Sequence, residues 1–311
     1  MARSTDIHLC YDLGGTKLRA ALISAQGRIS ATAEKPIDQT LGLPGLLADF
    51  RELAKEMSAK KFKMVSVASA GPLHSGKGIL LDPTNFFTGE KSWGIIPIAA
   101  HLKKIFKRPV LIDNDAAAAV MGEAWKGGHG KARDNLIAIT LGTGVGIGVI
   151  TNGAVVRAGR GLHPEASHIP INSEDRSRPC GCGAYGCIEA YLSGMHFARI
   201  VSEALGRTVD GYAITGLAQQ GDRKVLDLFA EYGRHLAQAI RSLAVVFAPE
   251  VVVLGGGFSE AAPYFLPTAE AALPALLERY RQGFDLVPKV KVSKLGESIG
   301  VLGAAFMAAH K

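Results

Sequence analysis

Apolar positions in the first half of the chain fall into short strand-like runs separated by longer stretches of helical period. "IHLCYDLGG", "KLRAALIS" and "GRISATAEKPI" read as three consecutive strands joined by tight turns. A helix follows in "LPGLLADFRELAKEM", then a strand in "KMVSVASAG", a hairpin through "HSGKG", a helix in "IPIAAHLKKIF" and a strand in "PVLID". The helix "DAAAAVMGEAW" is entered from "DN" and stops at Gly127 and Gly128. The pattern then restarts. "NLIAITLGTG", "VGIGVI" and "AVVRAG" again give three strands, with a glycine-rich turn between the first two. Two halves that each open with strand, glycine turn and strand predict a duplicated α/β unit that binds its ligand in the cleft between the copies. The second half adds long helices, as in "KVLDLFAEYGRHLAQAIRSLAVVFA", and a strand running into "LGGGFS". The expected division is an N-terminal α/β domain over residues 1–118 and a C-terminal α/β domain over residues 119–298. The small-residue helix of residues 299–311 is expected to pack back on the first domain.

Composition narrows the function classes. A chain of 311 residues, 48% hydrophobic and 20% charged, is globular and long enough for two cores. Its net charge of +7 raises the question of nucleic acid. The Lys and Arg are scattered and no recognition motif accompanies them, so a solvated, mildly basic surface is the better reading and no nucleic-acid partner is expected. An acidic small molecule such as a nucleotide suits that surface. No signal peptide is visible in "MARSTDIHLCYDLGG". The uncharged run over residues 135–156 has the length of a membrane span, but its glycines, Asn and Thr favour two strands around a turn. The chain is expected in the cytoplasm, without membrane contact.

The glycine turns carry candidate chemistry. In "YDLGGTK", Gly14 and Gly15 let backbone N–H groups approach a phosphate, Thr16 adds a hydroxyl and Lys17 a charge. Asp12, at the strand end, could hold Mg²⁺ directly or through water. "LGTGVGIG" repeats the arrangement with Gly142, Thr143 and Gly144, and "VVVLGGG" supplies a third glycine cluster that includes Gly255 and Gly256. Three such turns in a duplicated chain point to a nucleotide. No G-x-G-x-x-G follows a strand, which disfavours a dinucleotide site. "GPLHSGKG" has P-loop spacing, but Gly78 stands where a hydroxyl should bind metal, and the stretch reads as a hairpin.

With these motifs in place the chain resembles the ROK family (repressors, open reading frames, kinases), whose members share the actin-like ATPase, or ribonuclease H-like, fold. "DLGGTK", "LIDNDAAAAVMGEAW", "LGTGVGIGVITNGAVV", the E-x-x-H of "PEASH", "CGCGAYGCIE" and "VVVLGGG" occur in the family's order. The resemblance implies ATP-dependent phosphorylation of a hexose or an N-acetylated amino sugar, with glucose as the leading substrate. N-acetylglucosamine, N-acetylmannosamine, fructose and mannose are the alternatives. It makes Asp115 the general base and assigns Asn85, Asn114, Glu165, His168 and Glu189 to the sugar. It also implies a homodimer. Three departures lie near the sugar: Ala117 replaces a polar residue, Ser167 replaces a glycine, and residues 85–93 form a longer segment. The family also contains sugar-responsive repressors with an N-terminal DNA-binding module. With the phosphate strand beginning by Ile7, no such module is expected, and an intact Asp115 argues against a non-catalytic sensor.

The chemistry fits these residue types. A sugar hydroxyl has a pKa far above 7, so a base within hydrogen-bond reach typically contributes ~10²–10⁴-fold in rate. Asp115 at a strand-to-helix junction could be that base, or simply the helix N-cap. Three of the chain's four cysteines, Cys180, Cys182 and Cys187, lie within one short stretch. They are too odd a set for disulfides and lack C-x-x-C redox spacing. With His168 they make a Cys₃His set, a closed tetrahedral zinc site that would act as a structural clamp. Such a clamp would order the polar loop "NSEDRSRP" and fix Glu165, His168 and Glu189. It is expected to leave the phosphate turns untouched, because those lie on other strands. Cys10 reads as plain core.

Overall fold

The structure is a computed structural model that describes residues 6–83, 86–280 and 285–311. The first half runs β1 (Ile7–Leu13), β2 (Lys17–Ser24), β3 (Ile29–Pro36), α1 (Gly42–Glu56) and β4 (Val65–Ser69). Five short strands follow: β5 (Leu73–His74), β6 (Ile79–Leu81), β7 (Phe87–Thr88), β8 (Lys91–Ser92) and β9 (Ile95–Ile96). Then come α2 (Ile98–Phe106), β10 (Val110–Asn114) and α3 (Asp115–Lys126). The second half runs β11 (Leu136–Leu141), β12 (Val145–Thr151), β13 (Ala154–Val155), α4 (Ile188–Leu192), α5 (Gly194–Leu205), α6 (Gly211–Gln219) and α7 (Arg223–Phe247). It ends with β14 (Val251–Gly255), α8 (Ala262–Leu277), β15 (Lys289–Val292) and α9 (Ile299–Ala309).

The duplication expected from the glycine turns is present in the sheets. One sheet has the order β10-β4-β1-β2-β3 and the other β15-β14-β11-β12-β13. In both, an antiparallel meander of three strands is extended by two parallel strands. The glycine turns after β1 and β11 therefore occupy equivalent places. β1, β4, β11 and β14 are almost wholly buried, as parallel-sheet strands covered on both faces must be. Helices α1 and α2 cover the outer face of the first sheet around Phe50, Leu53 and Leu102. Helices α5 to α8 cover the second through an aromatic cluster of Phe197, Phe229, Tyr232, Phe258 and Phe265.

The inner faces are covered by the last helix of each half, and these are exchanged: α9 packs on β1 and β4 of the first sheet, α3 on β11 and β12 of the second. The two helices also pack on each other. Their facing residues are small (Ala118 and Gly122 against Gly303), so the backbones nearly touch. A Cβ at Gly303 would overlap the carbonyl oxygen of Ala118, and one at Gly148 of β12 would overlap that of Ala116.

Some elements differ from the sequence expectation. The strand read from "AVVRAG" is only two residues long. The Asn152–Gly153 turn, both residues at positive φ, starts it as expected for a tight hairpin. It ends early because Arg157 leaves the sheet to pair with Asp113 of β10. The "HSGKG" hairpin is real, as β5 pairs with β6. Strand β15 was not legible, because its alternate Lys residues give it no apolar run.

The α3–α9 crossing gives a stability test. Gly303→Ala should destabilise the protein by about 1–3 kcal/mol, the usual range for overpacking, despite the better helix propensity of Ala. Urea unfolding measures it; an unchanged midpoint would show that the crossing has slack.

Candidate active site

The junction of β10 and α3 organises the site. Asn114, buried, is the helix N-cap: its Oδ1 accepts from the N–H groups of Ala116 at 2.8 Å and Ala117 at 3.2 Å. Asp115 is thereby relieved of capping and stands at the first helical position. Its Oδ1 accepts from Ala116 N–H at 2.8 Å. No side chain among the described residues donates to its carboxylate. Burial raises the pKa of Asp115, and the backbone N–H bonds offset this in part.

Residues from both halves converge on this junction. Above Gly71, at the end of β4, the Nδ2 of Asn114 and the Oε1 of Glu165 both lie 3.3 Å from the position a Cβ would take. Glu165 has a raised pKa, first from burial and then from the charges of Asp115 and Glu189, with His168 opposing. Asn85 lies outside the described residues. Ser167, between Glu165 and His168, is buried.

Asp12 comes to the same place from β1. Burial lifts its pKa to about 7, the charge of Asp115 adds to this, and Arg19 opposes it. Arg19 is already engaged by Glu34, at 2.6 Å, and by Glu297. No described group donates a hydrogen bond to the Asp12 carboxylate. The N-terminus of α9 closes over it so tightly that a Cβ on Gly300 would overlap its Oδ2. A carboxylate held this way, with a second acid beyond it, suits a hydrated divalent cation that also binds substrate phosphates.

The glycine turns frame the site. Gly14 N–H donates to Lys17 O at 3.0 Å, and Gly142 N–H to Gly144 O at 3.0 Å, closing the two equivalent turns. Thr16 and Thr143 are exposed beside them, and Lys17 pairs with Glu34 at 3.0 Å. Gly256, at positive φ, packs on Leu141, which brings the Gly255–Gly256 turn beside Gly142.

The cysteine cluster forms next to these groups. Ligand atoms of His168, Cys180, Cys182 and Cys187 all lie within 4.8 Å of one another. Cys182 Sγ is 3.7 Å from Cys187 Sγ, and Cys180 Sγ is 3.5 Å from His168 Nδ1. Tetrahedral zinc, with Zn–S about 2.3 Å and Zn–N about 2.0–2.1 Å, separates its ligand atoms by about 3.5–3.8 Å. The residues fit. Because His168 faces the cysteines through Nδ1, Nε2 is the nitrogen left for a substrate.

One expectation about this cluster needs correction, and the loop beside it has supports of its own. The "NSEDRSRP" loop carries contacts within the protein. Asp175 accepts from Ser177 N–H at 3.0 Å and Tyr191 OH at 2.7 Å, and Arg178 lies 5.1 Å over the Tyr191 ring. The expectation that the cluster is separate from the glycine turns is the one corrected. Glu189 Oε1 is 3.6 Å from Cys180 Sγ, while its Oε2 accepts from Val145 N–H at 3.1 Å, at the foot of the Gly142–Gly144 turn. Gly194 N–H, at the start of α5, also donates to Gly142 O at 2.7 Å. Strand membership hid both links.

One pair was missed. Arg157 binds Asp113 through two hydrogen bonds of 2.7 and 2.5 Å, tying the segment that leads to Glu165 onto the strand that carries Asn114. Asp113 was visible in "DND", but its partner lies 44 positions away with no local signal.

The sequence model of the ROK family matches residues 8–311. The chain belongs to the ROK family. A glucokinase of Thermotoga maritima is 30% identical over 310 residues, covering 94% of each chain. An N-acetyl-D-glucosamine kinase of Yersinia pseudotuberculosis is 30% identical over 305 residues, covering 96% of this chain and 97% of its own. Among solved structures, a ROK family glucokinase from Streptomyces griseus, in complex with glucose and AMPPNP, superposes with a TM-score of 0.78 at 28% identity, covering 98% and 100% of the two chains. A ROK family transcriptional regulator, homologous to the Escherichia coli MLC protein, superposes with a TM-score of 0.82 at 23% identity, covering 98% of this chain and 78% of the regulator. The repeated sheets and exchanged helices are the actin-like ATPase fold of the ROK sugar kinases.

The raised pKa of Asp12 makes a signed prediction. A carboxyl whose folded pKa lies above its unfolded value of about 3.9 stabilises the fold below that value and loses the contribution as pH rises through the folded pKa. In the ligand-free protein this window runs from about pH 4 to about pH 7. Asp12→Asn should therefore gain stability relative to wild type across that window, measured as unfolding midpoints at each pH. A difference independent of pH would contradict the buried, uncompensated carboxyl.

Proposed function

We propose that this protein transfers the γ-phosphoryl group of ATP to the 6-hydroxyl of glucose. The chain is an ATP-dependent sugar kinase of the ROK family, and the choice of glucose is supported by its glucokinase relatives. One observation carries the catalytic reading. Asn114 takes over the capping of α3, so the Asp115 carboxylate takes no side-chain donor among the described residues, where Asn114, Glu165 and Asp12 converge.

In this reading Asp115 Oδ2 accepts the proton of the sugar 6-hydroxyl as its oxygen attacks the γ-phosphorus. Its raised pKa brings it nearer the working pH, where a general base is most effective. Asn114 Nδ2, Glu165, His168 Nε2, Glu189 and Asn85 orient the sugar, and the Gly14–Thr16 and Gly142–Gly144 turns direct backbone N–H groups at the phosphates. Gly255 and Gly256 line the adenosine side. Magnesium bound with the nucleotide supplies charge neutralisation, and Asp12 is the residue that would hold it. The two halves act as domains closing on the substrates, dividing within α3 near residue 118, with α9 returned to the first. The Cys₃His set holds a structural zinc, since four protein ligands leave no open position. The family's homodimer and a cytoplasmic location complete the reading. Among the described residues no helix is long and apolar enough to cross a membrane.

The rival sugars are tested by turnover on a panel of glucose, mannose, fructose, N-acetylglucosamine and N-acetylmannosamine with Mg-ATP. Glucose should give the highest kcat/KM; a preference for an N-acetylated sugar would replace it. A sugar-binding regulator is a second reading, prompted by the regulator fold-mate. Binding of sugar and ATP without turnover of any sugar would establish it. Asp115→Asn should lower kcat by about 10²–10⁴-fold with sugar affinity largely kept, and turnover within a few-fold of wild type would remove Asp115 from its role.

Zinc is tested by metal analysis and Cys182→Ala. Wild type should carry one zinc per chain. The variant should lose zinc and raise the sugar KM by about 10-fold or more, as loss of support around a metal site does. Because Glu189 spans the cluster and Val145, the KM for ATP should rise as well. An unchanged ATP KM would mean that the link through Glu189 is not used.

A further inference from the structure

We infer that Gln39 is a positioning residue that joins the first phosphate turn to the β7–β8 hairpin, so that nucleotide and sugar sites are set together. Three elements meet on this one residue, at the start of the turn after β3. Its Nε2 donates to the carbonyl oxygen of Gly15 at 3.0 Å. Its Oε1 accepts from the N–H of Phe87 at 3.3 Å. Its backbone oxygen accepts from the hydroxyl of Thr88 at 2.8 Å. The amide orientation is fixed, since a flip would set oxygen against oxygen at Gly15 and N–H against N–H at Phe87.

Both ends of this bridge are stiff. A peptide unit is planar, with its C=O and N–H pointing in opposite directions. Holding the Gly15 carbonyl therefore aims the N–H of Thr16, and the bond from Ile37 N–H to Thr16 O at 2.9 Å fixes the next unit. On the other side, Thr88 Oγ1 accepts from Trp93 Nε1 at 2.9 Å, and the Trp93 ring stacks on buried Phe86 at 5.2 Å. The hairpin therefore moves as a unit, and Gln39 is where it meets the phosphate turn. In the chain this hairpin closely follows Asn85, which the family resemblance assigns to the sugar. Nothing in the sequence marks Gln39, which sits in a polar run 24 positions from Gly15 and 48 from Phe87.

The inference rests on the proposed reading of Gly14–Thr16 as a phosphate turn. Its test uses the full-length protein, with KM for ATP and for the preferred sugar measured for Gln39→Met, Thr88→Val, the double variant, Thr88→Ser and Gly15→Val. Gln39→Met keeps the shape and removes both amide hydrogen bonds, so both KM values should rise by about 5- to 160-fold, the span of two lost hydrogen bonds. Thr88→Val lies on the hairpin and away from the turn, yet it should raise the ATP KM. It should add little in the Gln39→Met background, because both act through one connection. Thr88→Ser keeps the hydroxyl and should restore the wild-type value. If Thr88→Val leaves the ATP KM unchanged, or the two effects simply add, while Gly15→Val abolishes ATP use, the coupling is wrong and the phosphate turn stands. If Gly15→Val binds ATP as wild type does, the phosphate-turn reading itself fails and the inference falls with it.

Discussion

Backbone-to-backbone contact between α3 and α9 is the constraint on which the rest of the structure depends. Each helix ends one half of a duplicated chain, and each covers the inner face of the other half's sheet. The exchange works only because the facing residues are small enough for carbonyl oxygens to meet glycine Cα atoms, as at Ala118 and Gly303. The functional consequence lies at the helix starts. Asp115 begins α3, and the first turn of α9 closes on Asp12 at Gly300. One packing contact therefore sets the two acids of the candidate site close enough to influence each other.

The electrostatics follow from that placement. Asp12, Asp115 and Glu165 all have raised pKa values, with burial the largest cause in each. The nearby cation, Arg19, is engaged by Glu34 and Glu297. Buried acids gathered in this way suit a divalent cation that also binds substrate phosphates. Such a site is poised to bind them together, which is the arrangement phosphoryl transfer needs. Glu189 connects the cysteine cluster with the foot of the second glycine turn.

Most of the fold was legible in the sequence because its signals are local. Strands β1, β2, β4, β10, β11, β12 and β14 are apolar runs bounded by turns, and the "DLGG" and "LGTG" repeats disclosed the duplication. The site was legible in parts. Asp115 could be read as base or cap from its position alone, and only the coordinates assign the cap to Asn114. Links made between distant segments left no trace. Arg157 with Asp113, Glu189 with Val145 and Gln39 with Gly15 each depend on how the halves or hairpins come together, and periodicity carries no such information. Strand β15 escaped for another reason, since its Lys residues at alternate positions leave no hydrophobic run.

The central claim is that the start of α9 fixes Asp12 for catalysis. It is tested most directly by the kcat of Gly300→Ala at saturating Mg-ATP and sugar, read beside the unfolding midpoint and the sugar affinity. The substitution adds one methyl group and no charge, and Ala is the better helix former. The account predicts that the methyl displaces the Asp12 carboxylate, lowering kcat by about 10²-fold, the scale of a 1 Å misplacement in an active site, with midpoint and sugar affinity near wild type. A variant that folds and turns over at the wild-type rate would contradict it.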